Sequence, residues 1–322
     1  MPRPVVQTAD GSITCFDNET GEHYHNKAGA FTEAKLNYVE PSGVIDIFRS
    51  NRKVSVLDVP FGLGYNTLVM LQQILELESE HNQPGEIDIV GIESDANILA
   101  VVERVLEDDR FKVLRTALNQ GSQSFSKEAH DPETSTQNEL AMSALLGLQP
   151  ARFKLQNISV IIDVRHGDMR QVLPQLREAN HKFDAVWHDP FSPNKMPELW
   201  TTDIFKVYRS MMLEHGRVCT YSVSVTTRGG LLEAGFNIYG STPVGDKSGG
   251  TVASVQQFDS LPLGVTLLPE SESLRLKTKS GVPFRDPTLD RARAEVRKGR
   301  EIEQKNYGNN VAQANPSQCP LD

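Results

Sequence analysis

Apolar positions along the chain gather into short runs with a β-branched bias, of the kind that a parallel sheet buries on both faces. Val54 to Asp58 is the first, followed by Ile87 to Ile92 (IDIVGI), Ile158 to Val164 (ISVIIDV), Phe183 to Trp187 (FDAVW) and Gly216 to Ser222 (GRVCTYS). Phe236 to Tyr239 and Thr251 to Gln256 close the series as a strand pair. Between these runs the apolar residues switch to helical spacing. Leu68, Leu71 and Leu75 with Val69 and Ile74 mark one helix; Ile98, Val101, Val102, Val105 and Leu106 mark the next, with Asp95 placed to cap it. Helices follow at about Thr202 to Leu213 and at Arg228 to Ala234. Strand and helix in alternation, ending on two strands, predict an α/β Rossmann-like fold with a seven-stranded, mostly parallel sheet whose last strand is antiparallel.

The flanks read differently. Thr8 to Phe16 and Asp17 to Gly21 carry turn signals at each end and predict a hairpin, followed by Glu22-His23-Tyr24-His25 and a helix from Phe31 to Val39. Residues 1–50 therefore form an N-terminal arm, and residues 51–262 the Rossmann-like unit. Within it, Asn119 to Gln149 is dominated by Ser, Gln, Asn, Glu and Thr, and predicts a surface insertion with a flexible front half and a short helix near Leu140 to Leu146. Residues 263–322 form a C-terminal extension, with a charged helix around Asp290 to Gln304 and a disordered tail rich in Asn, Gln and Pro.

Composition narrows the class. At 38% hydrophobic and 23% charged, the chain has enough apolar material for a full core. No apolar run reaches membrane-spanning length, and the first residues lack the apolar centre of a signal peptide. Cys15, Cys219 and Cys319 have neither metal spacing nor an even count; no metal is expected, and a reducing cytoplasm is. The net charge of −9 argues against indiscriminate nucleic-acid binding, but Glu272 to Arg300 holds nine Lys or Arg against four Asp or Glu.

Candidate chemistry centres on Val54 to Asn66, VSVLDVPFGLGYN. A strand runs into the Gly62-Leu63-Gly64 turn and straight into a helix, so backbone N–H groups converge there. Neither the third glycine of a dinucleotide fingerprint nor a P-loop lysine follows, which suits a ligand without a pyrophosphate, such as S-adenosylmethionine; a plain βα connection has the same pattern. Glu93 ends the second strand, where ribose hydroxyls are held in such folds or where a carboxylate simply caps. Asp168, after Gly167, is either an adenine partner or a loop aspartate. The fourth strand ends in His188-Asp189-Pro190-Phe191-Ser192-Pro193, a proline-stiffened loop at the sheet's carboxyl edge. Its order of acid, proline and aromatic resembles the DPPY-type loops of amino-group methyltransferases.

Taken together, these stretches resemble the methyltransferase family that completes 5-methylaminomethyl-2-thiouridine at the tRNA wobble position, found alone (MnmD type) or as half of the bifunctional MnmC protein. Thr8 to Ser12, Glu22 to Glu33, DVPFGLGYN, Glu93 and Gly167-Asp168 match, and FDAVWHDPFSPNKMPELWT from Phe183 to Thr201 is close to the family signature. VPFRDP, Val282 to Pro287, resembles the end of stand-alone members. The resemblance implies a class I S-adenosylmethionine-dependent methyltransferase fold and S-adenosylmethionine bound by Asp58, Phe61, Gly62, Gly64, Asn66, Glu93, Asp168 and Met169. It implies that Asp189 orients the amine and takes its proton or caps the loop, and that Phe191 walls the methyl site. Pro190, Lys195, Trp200, Glu33 and Tyr24 are the expected substrate contacts, with Arg228 and the basic C-terminal helix either touching RNA or simply solvated. The expected partners are the tRNA anticodon region and a separate FAD-dependent oxidoreductase or other upstream wobble-modification enzymes. Pro60 stands where the family has a glycine, and His188 where an apolar residue is usual. Two competing readings are an aminopropyltransferase, against which the adjoining acid cluster reads as thin, and a degenerate fold that binds RNA, which Pro60 favours.

Overall fold

The structure is a computed structural model and describes residues 4–25, 29–78, 83–120, 136–243 and 249–314. Its centre is a nine-stranded sheet. Five parallel strands form the middle: β4 (Lys53–Val59), β5 (Gly85–Glu93), β7 (Ile158–His166), β8 (Phe183–His188) and β9 (Met212–Thr220). β10 (Asn237–Ser241) and β11 (Thr251–Ser254) extend it, and β11 runs antiparallel to both β9 and β10. Two short edge strands, β6 (Ala151–Leu155) and β12 (Val265–Thr266), complete the order β12-β10-β11-β9-β8-β4-β5-β7-β6. Without the edges this is the predicted seven-stranded sheet.

The two edge strands were not expected. β6 alternates buried and exposed residues over only five positions and pairs antiparallel with β7, so its pattern is that of a one-sided edge rather than of a buried run. β12 pairs with β10 over two positions. The predicted insertion is likewise more integrated than its composition suggested. Thr136 caps helix Gln137–Leu145 through a reciprocal box with Glu139, and Ala141, Ala144 and Leu145 are buried in the core. Its front half lies largely outside the described residues, as does the tail beyond residue 314; the C-terminal helix, Arg293–Ala314, runs longer than expected.

Side chains of β4 alternate between the two faces of the sheet, and each face is packed. Val54 and Val56 join one core with helix Tyr65–Glu78, while Leu57 and Val59 join the other with helix Met169–Glu178. The chain leaves β4 towards β5 on one side and β8 lies on the other, so the carboxyl ends of these strands open a crevice at the switch point.

Two segments flank the sheet, and the N-terminal one covers that crevice. The N-terminal arm is a three-stranded antiparallel sheet, β1 (Val5–Gln7), β2 (Ile13–Asp17) and β3 (Glu22–His23). A continuous helical segment follows, Ala30–Glu33, a π-helical stretch Ala34–Val39, and Glu40–Ser42. The Tyr65 hydroxyl ties arm to sheet, donating to the Ile13 carbonyl and accepting from the Ile13 N–H, each at 3.0 Å. The C-terminal extension docks through its arginines. Arg285 pairs with Glu233 and Glu303, Arg293 with Glu198, and Arg300 donates to the Val282 carbonyl and to Thr226. Much of the local basicity noted in the sequence is therefore committed to intramolecular contacts. No helix among the described residues is long and apolar enough to cross a membrane.

Candidate active site

At the carboxyl ends of β4, β5 and β8 lies a cavity of about 620 Å³, a volume suited to a small-molecule ligand. Pro60, Phe61, Gly62 and Glu93 line one side and Asp189, Pro190, Phe191 and Tyr221 another; Tyr24, His25 and Glu33 of the arm close it. Asp17, Glu19, Glu22 and Asp95 reach it too, so seven carboxyl side chains face one cavity, and among the described residues neither Lys nor Arg lines it. Such a lining favours cations. The acid cluster that reads as thin along the sequence is thus dense in space, because the arm supplies most of it.

The loop after β8 is held by five residues. The Asp189 N–H donates to the Val59 carbonyl at 2.8 Å, extending the β4–β8 pairing by one residue. Asp189 Oδ1 accepts from the Tyr38 hydroxyl at 2.5 Å, and the Tyr38 oxygen accepts from the Tyr221 N–H at 3.3 Å. The Pro190 carbonyl accepts from the Tyr221 hydroxyl at 2.9 Å, and the Phe191 carbonyl from Trp200 Nε1 at 2.8 Å. Glu22 accepts from the Ser192 N–H at 2.9 Å and from its hydroxyl at 2.6 Å. Phe191 meets the Tyr24 ring edge-on, with centroids 5.0 Å apart. Tyr38 and Tyr221 carry no sequence signal that would mark them, and Glu22 is marked only by its family-like stretch: each is remote from the loop in sequence and is brought to it by the fold.

Burial governs the site's electrostatics. It pushes the Asp189 carboxyl well above the usual carboxylate range, and the charge of nearby Glu33 adds to the effect. Glu93 is raised for the same first reason, although its two oxygens accept from the N–H groups of Gly62 and Asp95, each at 2.8 Å. Asp58 is pushed up to about 7 by burial, and accepts from Thr67 at 2.9 Å and from Asn66 at 3.3 Å. A cation entering such a cavity would favour the ionised forms of Asp189 and Glu93.

The expected site residues separate into two groups. Phe61, Gly62, Glu93, Asp189, Pro190, Phe191, Glu33 and Tyr24 all line the cavity. Asp58, Gly64 and Asn66 lie behind that wall, shaping the turn: Gly64 adopts φ +75°, and a Cβ there would press on Phe61 at 3.0 Å. Asp168 caps helix Met169–Glu178 and pairs with Arg170 at 2.8 Å, and neither it nor the buried Met169 lines the cavity. Lys195 is exposed outside it. Two expected RNA contacts are placed otherwise. Trp200 is fully buried against His188 and Tyr221 and offers no face to a base; Arg228 is buried and bonded to Thr251, the Gly250 carbonyl and Glu272.

The cavity fits the methionine and ribose parts of S-adenosylmethionine. Glu93 keeps lone pairs for ribose hydroxyls, Phe61 offers an aromatic wall, and the acid lining suits a sulfonium. A family of S-adenosyl-L-methionine-dependent methyltransferases matches residues 132–256. The chain is an S-adenosyl-L-methionine-dependent methyltransferase. It shares a fold with the crystal structure of MnmC2 from Aquifex aeolicus, with a TM-score of 0.70 and 28% identity over 94% of this chain and 85% of that one. An uncharacterised protein of Methanocaldococcus jannaschii is 25% identical, covering 92% of this chain and 71% of that protein. The tRNA 5-methylaminomethyl-2-thiouridine biosynthesis bifunctional protein MnmC of Burkholderia vietnamiensis is 25% identical over 73% of this chain. The chain spans about a third (32%) of that protein's length. In this methyltransferase the Rossmann-like fold and the S-adenosylmethionine expectation both hold.

Proposed function

We propose that this methyltransferase acts on the aminomethyl nitrogen of a modified wobble uridine in tRNA, forming 5-methylaminomethyl-2-thiouridine. The observation that carries the reading is Asp189, a carboxyl pinned at the rim of β8 beside Phe191 in a cavity lined by acids, with no Lys or Arg among the described lining residues. Such a lining admits an amine and repels phosphate, so the nucleoside enters while the RNA backbone stays outside. The names of the MnmC relatives and the Aquifex structure support the same substrate.

Asp189 accepts a hydrogen bond from the amine and Phe191 packs beside the transferring methyl. Asp189 takes the proton of the ammonium form, which leaves the amine lone pair free; S-adenosylmethionine, held beside Glu93 and the Gly62 turn, would supply the methyl group to that lone pair and would keep the electron pair of the broken bond on its sulfur. Most of the acceleration comes from holding the two partners at near-attack distance, worth up to about 7–11 kcal/mol in favourable cases. Exposed Lys195, close to the loop, is placed to meet phosphate. Asp168 and Met169 serve the adenine, and Asp58 with Asn66 orient the turn that holds the methionine end. A separate FAD-dependent oxidoreductase or another upstream wobble-modification enzyme supplies the free amine.

The test is labelled methyl transfer to tRNA from cells lacking the enzyme, followed by nucleoside analysis. Wild type should label a single wobble nucleoside. Asp189→Ala should abolish labelling while S-adenosylmethionine binding stays near wild type, and turnover within a few-fold of wild type would refute the role. The seven carboxyl groups favour one second reading, a small free polyamine as acceptor. Labelling of spermidine but not of tRNA would establish it instead.

A further inference from the structure

His25 takes no part in holding the β8 loop, yet it lines the same cavity. Its side chain is buried, at 8% exposure, and its place is fixed from several sides. The His25 N–H donates to Thr14 Oγ1 at 3.0 Å, and the ring stands edge-on to Tyr65 with centroids 5.1 Å apart. Nδ1 lies 3.9 Å from Glu33 Oε2. Nε2 is buried and has no hydrogen-bond partner among the described residues. A buried polar atom held rigidly without a partner beside a ligand cavity calls for a ligand to complete it.

We propose that His25 is a catalytic residue that accepts an N–H of the substrate amine at Nε2, sharing with Asp189 the task of aiming the nitrogen lone pair at the methyl group. The inference rests on the methyl-transfer reading above. A neutral amine carries two N–H bonds and one lone pair. With one N–H bonded to Asp189 and the other to Nε2, the lone pair is left pointing at the methyl. No proton moves in this contact. The new carbon–nitrogen bond forms as the carbon–sulfur bond breaks, and the product leaves as a secondary ammonium.

An uncharged acceptor has a particular merit here. A second cation beside a sulfonium would repel it, whereas a neutral imidazole does not. The groups facing the ring are Glu33 from the helical segment, Asp10 from the β1–β2 turn, Tyr65 from the helix after β4 and Thr14 from β2, with His23 and Tyr24 adjoining in sequence. Burial outweighs the attraction of Asp10 and lowers the imidazole to about 4, so the ring is neutral near pH 7. A proton on Nδ1, facing the Glu33 carboxylate, leaves Nε2 as the acceptor.

Two measurements on the full chain test this. In nitrogen-detected histidine spectra of wild type near neutral pH, His25 should be the neutral tautomer with its proton on Nδ1, and Nε2 should shift when 5-aminomethyluridine is added. A proton on Nε2, or no Nε2 response at saturating nucleoside, overturns the proposal. If Nε2 responds but no methyl is transferred, the contact stands and the methyl-transfer reading falls. In the labelling assay, His25→Phe should lower kcat by about 10- to 100-fold with S-adenosylmethionine affinity unchanged, and His25→Gln, which keeps an acceptor, should recover part of the loss. Equal kcat in His25→Phe and wild type refutes the role.

Discussion

The Tyr38 hydroxyl donates to Asp189 Oδ1 at 2.5 Å, across 151 positions of sequence. It joins a π-helical turn of the N-terminal arm to the rim of the central sheet, and π-helical turns often mark functional positions. Burial holds the Tyr38 hydroxyl well above its ordinary pKa, so it remains a donor throughout the working range. Tyr38→Phe should leave the fold and cofactor affinity intact while freeing the carboxyl to turn. A hydrogen bond to a charged group is worth about 1.5–3 kcal/mol, so turnover should fall by about 10- to 100-fold. Parallel calorimetry with S-adenosylmethionine and the labelling assay would separate the two effects, and an unchanged kcat would count against a positioning role.

Glu93 fastens the glycine turn to the end of β5. One oxygen accepts from Gly62 N–H and the other from Asp95 N–H. Glu93→Ala therefore loses the carboxylate offered to ribose and leaves two N–H groups unpartnered. The expected outcome is S-adenosylmethionine binding weakened at least tenfold, about 1.4 kcal/mol or more, read by calorimetry. Binding as tight as wild type would remove Glu93 from the cofactor site.

His188 reports on pH. It is fully buried among Trp200, Phe205 and Tyr208, with Nδ1 3.0 Å from the Tyr208 hydroxyl, and burial lowers it to about 3. Because the folded pKa lies below the ordinary 6.5, acidification charges the unfolded chain first. The stability this neutral ring confers is complete above about 6.5 and declines as pH falls. His188→Phe removes that loss, though it strands the Tyr208 hydroxyl at a cost of about 1–3 kcal/mol. Between about pH 8 and pH 5 the variant should gain about 2 kcal/mol relative to wild type in denaturant unfolding. Asp58, whose folded pKa is raised and whose pH dependence has the opposite sign, is common to both proteins and cancels. Parallel stability curves would contradict the buried neutral ring.

Gly229 tests the docking of the C-terminal extension. A Cβ there would clash with the Gly281 carbonyl oxygen, a backbone atom, where no side chain can yield. Gly229→Ala should cost about 1–3 kcal/mol and loosen residues 280–285, increasing their hydrogen exchange. Wild-type stability and protection would show that the extension packs otherwise.

The central sheet was legible because its signals are local. A buried parallel strand reads as a nearly continuous apolar run, and VSVLDV, IDIVGI, ISVIIDV and FDAVW each do, interrupted only by Ser, Asp or Gly. The glycine turn, the acid Glu93 and the Asp189 loop follow such runs directly, so strand ends alone placed them at one edge. β6 and β12 escaped because an edge strand buries one face, and five or two residues carry too little periodicity to show it.

By itself, the sequence determined the order of strands and helices and the identity of the loop that carries Asp189. Tertiary structure decided what surrounds that carboxyl: Tyr38, Tyr221 and Glu22 pinning the loop, His25 and Glu33 closing the cavity, and Trp200 and Arg228 withdrawn into the interior. The reason is one of range. Backbone pattern is fixed by neighbours a few residues apart, whereas burial, and with it the raised pKa of Asp189 and Glu93, depends on which distant segment folds across the cavity.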